Sequence, residues 1–259
     1  MLLQNRVCLV TGAGRGIGRS IALAFAGEGA KVAITARTAA EIAEVGVAIR
    51  ARGSEVLEIV ADLSSNDAPR QVVEQVTKTW GPVEVLVNNA GIGSSANPRP
   101  VVEFDDDFWE LSLRVNLTAP YLLCKAVLPE MIQRKFGRII TVASINGKIG
   151  SLHGAAYAAS KHGVLGLVRT LAMEVAKDGI TVNAICPGPV ATVMNDKRIA
   201  YDAERRGVSV DEIVGAITPL GRRLDPDEIA PLAVYLASDA AAAMTGQAIN
   251  IDGGVLMTG

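Results

Sequence analysis

The sequence predicts an α/β fold: one parallel sheet, doubly wound, with helices on both faces. Three observations carry that prediction. Short apolar runs alternate with stretches of helical spacing along almost the whole chain. The apolar runs are nearly continuous, as strands buried on both faces require. A glycine-rich turn at 12–18 separates the first apolar run from the first helical stretch. With 259 residues, 49% hydrophobic and 20% charged, the chain can bury a sizeable core. No linker, low-complexity tract or repeat divides it, so residues 1–259 read as a single domain.

Each element has its own justification. Residues 6–11 read as a buried strand, 12–18 as a turn, and 17–28 as a helix with Ile17, Ile21, Ala24 and Phe25 on one stripe. Gly29 ends that helix, and 31–36 form the next strand. Residues 38–52 are helical and closed by Gly53; 55–60 form a third strand; 67–80 form a helix stopped by Gly81-Pro82. Residues 83–87 make a short strand feeding Asn88-Asn89-Ala90-Gly91. Two helical stretches, continuous around Asn116, fill 105–134. A strand over 137–142 leads to Ser144, and one long helix over 156–177 carries Tyr157 and Lys161. A strand over 180–185, a late helix over 227–236 and a last strand over 247–251 complete the alternation. Two stretches break the rhythm: a polar loop at 93–100, and 190–219, which is mostly polar with weak helical spacing at 196–206 and 210–217. Both follow strand ends, where open sheets take their ligands. Residues 190–219 are therefore expected to be a substrate lid.

The bulk properties exclude several classes. A net charge of −2, from 25 basic and 27 acidic side chains, leaves no electrostatic footprint for nucleic acid or an anionic membrane. Cys8, Cys124 and Cys186 show no metal-ligand spacing, and Cys8 and Cys124 lie in apolar segments where thiols are buried. No metal is expected. Three reduced cysteines, with no leader-like start and no apolar run long enough to span a bilayer, suit the cytoplasm.

A strand–turn–helix unit with Gly12, Gly16 and Gly18 lets backbone approach a pyrophosphate at a helix N-terminus. Its spacing is not the GxGxxG of larger dehydrogenases. An acid at the end of the second strand would bind the ribose hydroxyls of NAD. This chain offers Ala36 and then Arg37, with Arg15 inside the turn. Two guanidiniums and no carboxylate suit a 2′-phosphate. NADP(H) is favoured, and NAD(H) is the second possibility. Asp62 follows the third strand and can accept from the adenine amino group. Asn88, Ala90 and Gly91 end the fourth strand and can line the adenosine ribose, and Ile17, Leu63 and Asn89 are further expected coenzyme contacts. Tyr157 and Lys161 lie four residues apart, one helical turn, downstream of Ser144. A phenol can hand a proton to a carbonyl oxygen, and a neighbouring ammonium favours its phenolate and lowers its pKa.

At this point the chain resembles the short-chain dehydrogenase/reductase family over almost its whole length. The residues that carry the resemblance are Thr11 through Gly18, Asp62, Asn88 through Gly91, Asn116, Ser144, Tyr157 with Lys161, Pro187-Gly188 with Thr192, and Asp252-Gly253-Gly254. The resemblance implies a Rossmann fold and an NADP-dependent oxidoreductase acting on CH–OH or C=O groups. It implies that Tyr157 donates the proton in reduction and that Lys161 also bonds the nicotinamide ribose. Ser144 would hold the substrate oxygen, and Asn116 would interrupt helical bonding and hold a water near Lys161. Pro187, Gly188, Val190 and Thr192 would clamp the carboxamide end of the nicotinamide. Candidates for the substrate wall are Asn146, Lys148, Ile149, His153 and Met194. The resemblance leans to 3-oxoacyl reductases and polyketide-type ketoreductases, and it implies a homotetramer. The expected substrate is a 3-oxoacyl, cyclic or aryl ketone. The alternative is an NAD-dependent alcohol or 3-hydroxyacid dehydrogenase working oxidatively.

Overall fold

A computed structural model describes residues 1–257; the last two positions of the expected 1–259 domain lie outside the described residues. Seven strands form one sheet in the order β3-β2-β1-β4-β5-β6-β7. They are β1 (Val7–Thr11), β2 (Lys31–Ala36), β3 (Val56–Val60), β4 (Val85–Asn88), β5 (Gly137–Val142), β6 (Ile180–Pro187) and β7 (Ala248–Ile251). Every pairing is parallel. The order reverses between β1 and β4, which opens a crevice beyond their carboxyl ends. The doubly wound Rossmann architecture expected from the alternation is the one observed.

The helices are α1 (Gly16–Gly27), α2 (Ala39–Arg50), α3 (Ala68–Trp80), α4 (Asp106–Leu113), α5 (Ala119–Arg134), α6 (Ala155–Val175), α7 (Val193–Arg206), α8 (Val210–Gly215) and α9 (Ala230–Ala237). Strand alternation sorts the core into two layers. On one face Cys8, Val10, Val32, Ile34, Val85 and Val87 pack with Phe25 of α1, Ile42 and Ile49 of α2 and Ala233 of α9. On the other, Leu9, Ala33, Leu86 and Ile139 pack with Val76 of α3, Leu123 and Met131 of α5 and Val164 and Val168 of α6. Cys8 and Cys124 are buried free thiols, as their apolar settings predict.

Element ends differ from the sequence reading for local reasons. The helix expected from residue 196 begins at Val193, because Thr192 Oγ1 accepts from the amide of Asn195 at 3.3 Å and caps it. The late helix is a short 3-10 turn, Pro226–Glu228, followed by α9. Between α4 and α5 the chain makes a π turn, Arg114–Thr118, centred on Asn116. α7 and α8 share a small apolar cluster of their own, Ile199, Ala203 and Ile213, outside the two main layers.

Candidate active site

The glycine turn is held by Thr11 and Asn89. Thr11 Oγ1 donates to Val87 O (3.1 Å) and accepts from the amides of Asn89 (3.0 Å) and Ala90 (3.1 Å). Asn89 Nδ2 donates to Thr11 O (2.9 Å) and Gly12 O (3.0 Å). The Asn89 side chain thus builds the floor of the turn. Gly12 sits at φ +63°, and a Cβ there would lie 2.7 Å from Ala90 Cα. A Cβ on Gly18 would lie 2.3 Å from Gly12 O. Only glycine permits this fold of the chain. Gly16 and Ile17 open α1, whose first amides have no side-chain cap. Free donors behind a backbone-only surface fit the pyrophosphate of a dinucleotide.

Arg37 is exposed immediately after β2. Asp62 turns its carboxylate back to accept from the amide of Ser64 at 3.0 Å. That bond, with a smaller contribution from Arg37, holds its pKa below the ordinary carboxylate value. Leu63 is buried in the core layer beside α3. Arg15 is not free: its Nη1 donates to Glu41 Oε1 at 3.2 Å. The sequence reading missed Glu41. Its signal was a carboxylate in the first turn of the helix that follows Arg37.

The chemistry-bearing residues come from three elements and converge. Lys161 Nζ donates to Val142 O, the last residue of β5, at 2.9 Å. The same ammonium lies 5.7 Å from the centre of the Tyr157 ring. Ser144 Oγ accepts from the amide of Asn146 at 3.1 Å. Asn116 makes a two-point clamp, its Oδ1 accepting from Ile92 N and its Nδ2 donating to Ile92 O, both at 2.9 Å. The same Nδ2 donates to Ser160 Oγ at 3.1 Å, and Ser160 Oγ donates to Tyr157 O at 2.8 Å. The side chain of Asn116 therefore ties the π turn to the helix that carries Tyr157. A Cβ on Gly91 would lie 3.1 Å from Asn116 Oδ1 and 3.8 Å from Lys161 Nζ, so Gly91 covers both groups.

The electrostatics correct one expectation. Tyr157 is raised above the ordinary phenol pKa, not lowered: burial raises it, and a hydrogen bond with Ser144 only opposes that. Burial also lowers Lys161 to about 8. The desolvation that penalises a phenolate penalises the neighbouring ammonium too. A neutral phenol is the form that can donate a proton to a developing alkoxide.

Pro187 ends β6, and Gly188 N donates to Ile251 O at 2.9 Å. Val190 is buried and bridges to Leu224. Thr192 Cγ2 lies 3.2 Å from where a Cβ on Gly16 would be, so this segment meets the glycine turn. Met194 packs on Gly93, where an added Cβ would lie 2.5 Å from its Cγ. His153 adopts φ +54° and shares a 2.5 Å hydrogen bond with the hydroxyl of Tyr201 on α7. Asn146 Nδ2 donates to Gly150 O at 3.2 Å. Ile149 is exposed, at 38%. Lys148 is turned away from the expected wall: its ammonium donates to Ala248 O and Asn250 Oδ1, each at 2.7 Å.

Known proteins place this arrangement. A family model described as enoyl-(acyl carrier protein) reductase matches residues 12–256. A 3-oxoacyl-[acyl-carrier-protein] reductase from Pseudomonas aeruginosa is 39% identical over 258 residues, covering 100% of both chains. A D-beta-hydroxybutyrate dehydrogenase from Cupriavidus necator is 36% identical over 257 residues, covering 98% of each. Among solved structures, a single-site variant of actinorhodin polyketide ketoreductase with NADPH superposes with a TM-score of 0.92, at 38% identity and 97% coverage of both chains. The fold and the site define an oxidoreductase built on a dinucleotide-binding sheet. The chain belongs to the short-chain dehydrogenase/reductase family. Among the described residues no helix is long and apolar enough to cross a membrane, and no cluster of metal-ligating side chains occurs.

Proposed function

We propose that this enzyme reduces a ketone, of the 3-oxoacyl or cyclic or aryl type, to a secondary alcohol with NADPH. The observation that carries the reading is the convergence of Ser144, Tyr157 and Lys161 at the carboxyl end of β5, beside a glycine turn made for a pyrophosphate. A bound nicotinamide would supply the hydride, one proton with two electrons, that the carbonyl carbon takes up. Ser144 holds the carbonyl oxygen toward Tyr157. Tyr157 gives its proton to that oxygen as the C=O π bond breaks, so one C–H and one O–H bond form. Lys161 steadies the resulting phenolate until a proton from solvent restores it. Asn116, through Ser160, fixes the register of the helix that carries the phenol.

Gly12, Gly16, Ile17 and Gly18 would hold the pyrophosphate; Asp62, Leu63, Asn89, Ala90 and Gly91 the adenosine side; Pro187, Gly188, Val190 and Thr192 the nicotinamide. Arg37 favours NADPH, supported by the absence of a carboxylate at the end of β2 and by the NADPH bound in the polyketide ketoreductase structure. The reductase reading also rests on the likeness to the 3-oxoacyl reductase. Residues 190–219 would be the lid, and the assembly a homotetramer. The test is a panel of ketones and β-ketoesters followed at the nicotinamide absorbance with both coenzymes. Faster reduction with NADPH is expected. Oxidation of 3-hydroxyacids with NAD and no ketone reduction would reject the reading.

A further inference from the structure

The corner between the glycine turn and the end of β2 holds four side chains of opposing charge: Arg15, Arg37, Glu41 and Asp62. Formally they cancel, so the corner is not the cationic pocket that two arginines alone would make. Asp62 is occupied with the Ser64 amide. Glu41 is different. It stands in the first turn of α2 and leans on the turn itself: a Cβ on Gly14 would lie 2.9 Å from Glu41 Oε2 and 3.0 Å from its Cβ. Its other oxygen accepts from Arg15 Nη1 at 3.2 Å. The guanidinium is 65% exposed and the carboxylate 33%, so the pair can exchange partners with a ligand at little cost.

The two coenzymes would meet this pair differently. A 2′-phosphate carries about −1.5 to −2 charge near neutrality and seeks Arg15. It must draw that guanidinium from Glu41 and then sit beside a like charge. A ribose hydroxyl carries no charge and can donate to a carboxylate, the role usually filled by an acid at the end of the second strand. Glu41 supplies that carboxylate from the next helix.

We infer that Glu41 is a coenzyme-selectivity residue: it competes with a 2′-phosphate for Arg15 and accepts from the ribose hydroxyls of NAD(H). It therefore opposes Arg37, which pulls toward NADP(H). The inference rests on the reading that the glycine turn binds a nicotinamide dinucleotide.

Equilibrium fluorescence titration with NADPH and with NADH tests it without turnover, on the wild type, Glu41→Gln, Arg15→Ala and the double variant. Glutamine keeps size and helix position, and an unchanged thermal melt verifies the fold. Removing a partly exposed charge is expected to tighten NADPH by about two- to tenfold and to weaken NADH at least about twofold. The NADPH gain should shrink in the Arg15→Ala background, where only the direct repulsion between Glu41 and the phosphate is left to relieve. An unchanged ratio of the two Kd values would overturn the inference, as would the same gain without Arg15. If the wild type binds NADH and not NADPH, the coenzyme assignment under Proposed function falls by itself. Glu41 is then judged on NADH alone, where an unchanged Kd in Glu41→Gln overturns it. Binding of neither coenzyme would end both.

Discussion

Among single residues, Tyr157 and Lys161 show what spacing can and cannot say. Their separation puts both on one turn of α6, and their chemical types name a proton donor and a charge beside it. Protonation depends on burial, which only the packed sheet supplies. Hence the sequence reading had the pair and missed the direction of the phenol shift. A Tyr157→Phe variant should lose about 10²–10⁴ in turnover, the worth of a positioned acid, while its coenzyme Kd in the same titration stays within about twofold. Turnover within tenfold of wild type would remove the phenol from the mechanism. Lys161 carries a separate cost. Its pKa is lowered from 10.5 to about 8, so at pH 7 the folded protein keeps a desolvated ammonium. That penalty is about 3 kcal/mol and complete below pH 8, and it fades as pH rises from 8 toward 10.5, because the unfolded chain binds the proton more tightly. Lys161→Met should therefore abolish turnover yet stabilise the coenzyme-free protein by about 1–3 kcal/mol at pH 7, part of the gain being lost with the bond to Val142 O. Denaturant unfolding at pH 7 and pH 10 checks it. A variant less stable than wild type at pH 7 contradicts the burial argument.

Among the elements, the strands and main helices were legible because their apolar periodicity is also what packs them in two layers. Periodicity alone did not show the π turn at Asn116, although the resemblance implied a break in helical bonding there. Helical spacing on both sides of it is unbroken, and the widening is set by Ile92, a residue 24 positions away in sequence. The role of α7 was only half legible. Its polar composition gave weak spacing, since it packs on a small cluster of its own rather than on the sheet. What fixes it is polar. Arg198 donates to Leu152 O (3.0 Å), to Ser94 Oγ (3.4 Å) and to Asp202 (2.7 Å), and Tyr201 meets His153. One helix thus ties the loop after β4 to the segment that leads into α6. If residues 190–219 close over the substrate, Arg198→Ala should raise the KM for the ketone several-fold and leave the coenzyme Kd unchanged. Unchanged KM would show that α7 only covers the surface.

Across the whole molecule, stability and chemistry sit at opposite ends of β5. The Lys161 contact lies on the last residue of β5 and Ser144 just past it, while Arg138 lies at the strand's start, six residues before Ser144 and about 20 Å away. Arg138 is 4% exposed. Its guanidinium donates to Gly137 O (3.0 Å), Gly179 O (3.2 Å) and Ser238 O (3.4 Å), and it faces Asp239 at 3.5 Å. Arg6 joins from the start of β1, pairing with Glu84 at 2.8 Å, and both guanidiniums lie over the Phe136 ring at 3.9 and 4.5 Å. The cluster ties β1, β5, the approach to β6 and the end of α9 at the amino end of the sheet, away from the crevice. Removing Arg138 takes a donor from the buried carbonyls of Gly137 and Ser238, which costs about 1–3 kcal/mol for each group that water cannot reach. Arg138→Ala should therefore lower the Tm by several degrees and leave kcat/KM at 25 °C within about twofold, because no contact of Arg138 reaches Tyr157, Lys161 or the glycine turn. A parallel loss of kcat/KM in protein that remains folded would mean that the two ends of the sheet are mechanically coupled. The crevice would then depend on packing that the local contacts do not reveal.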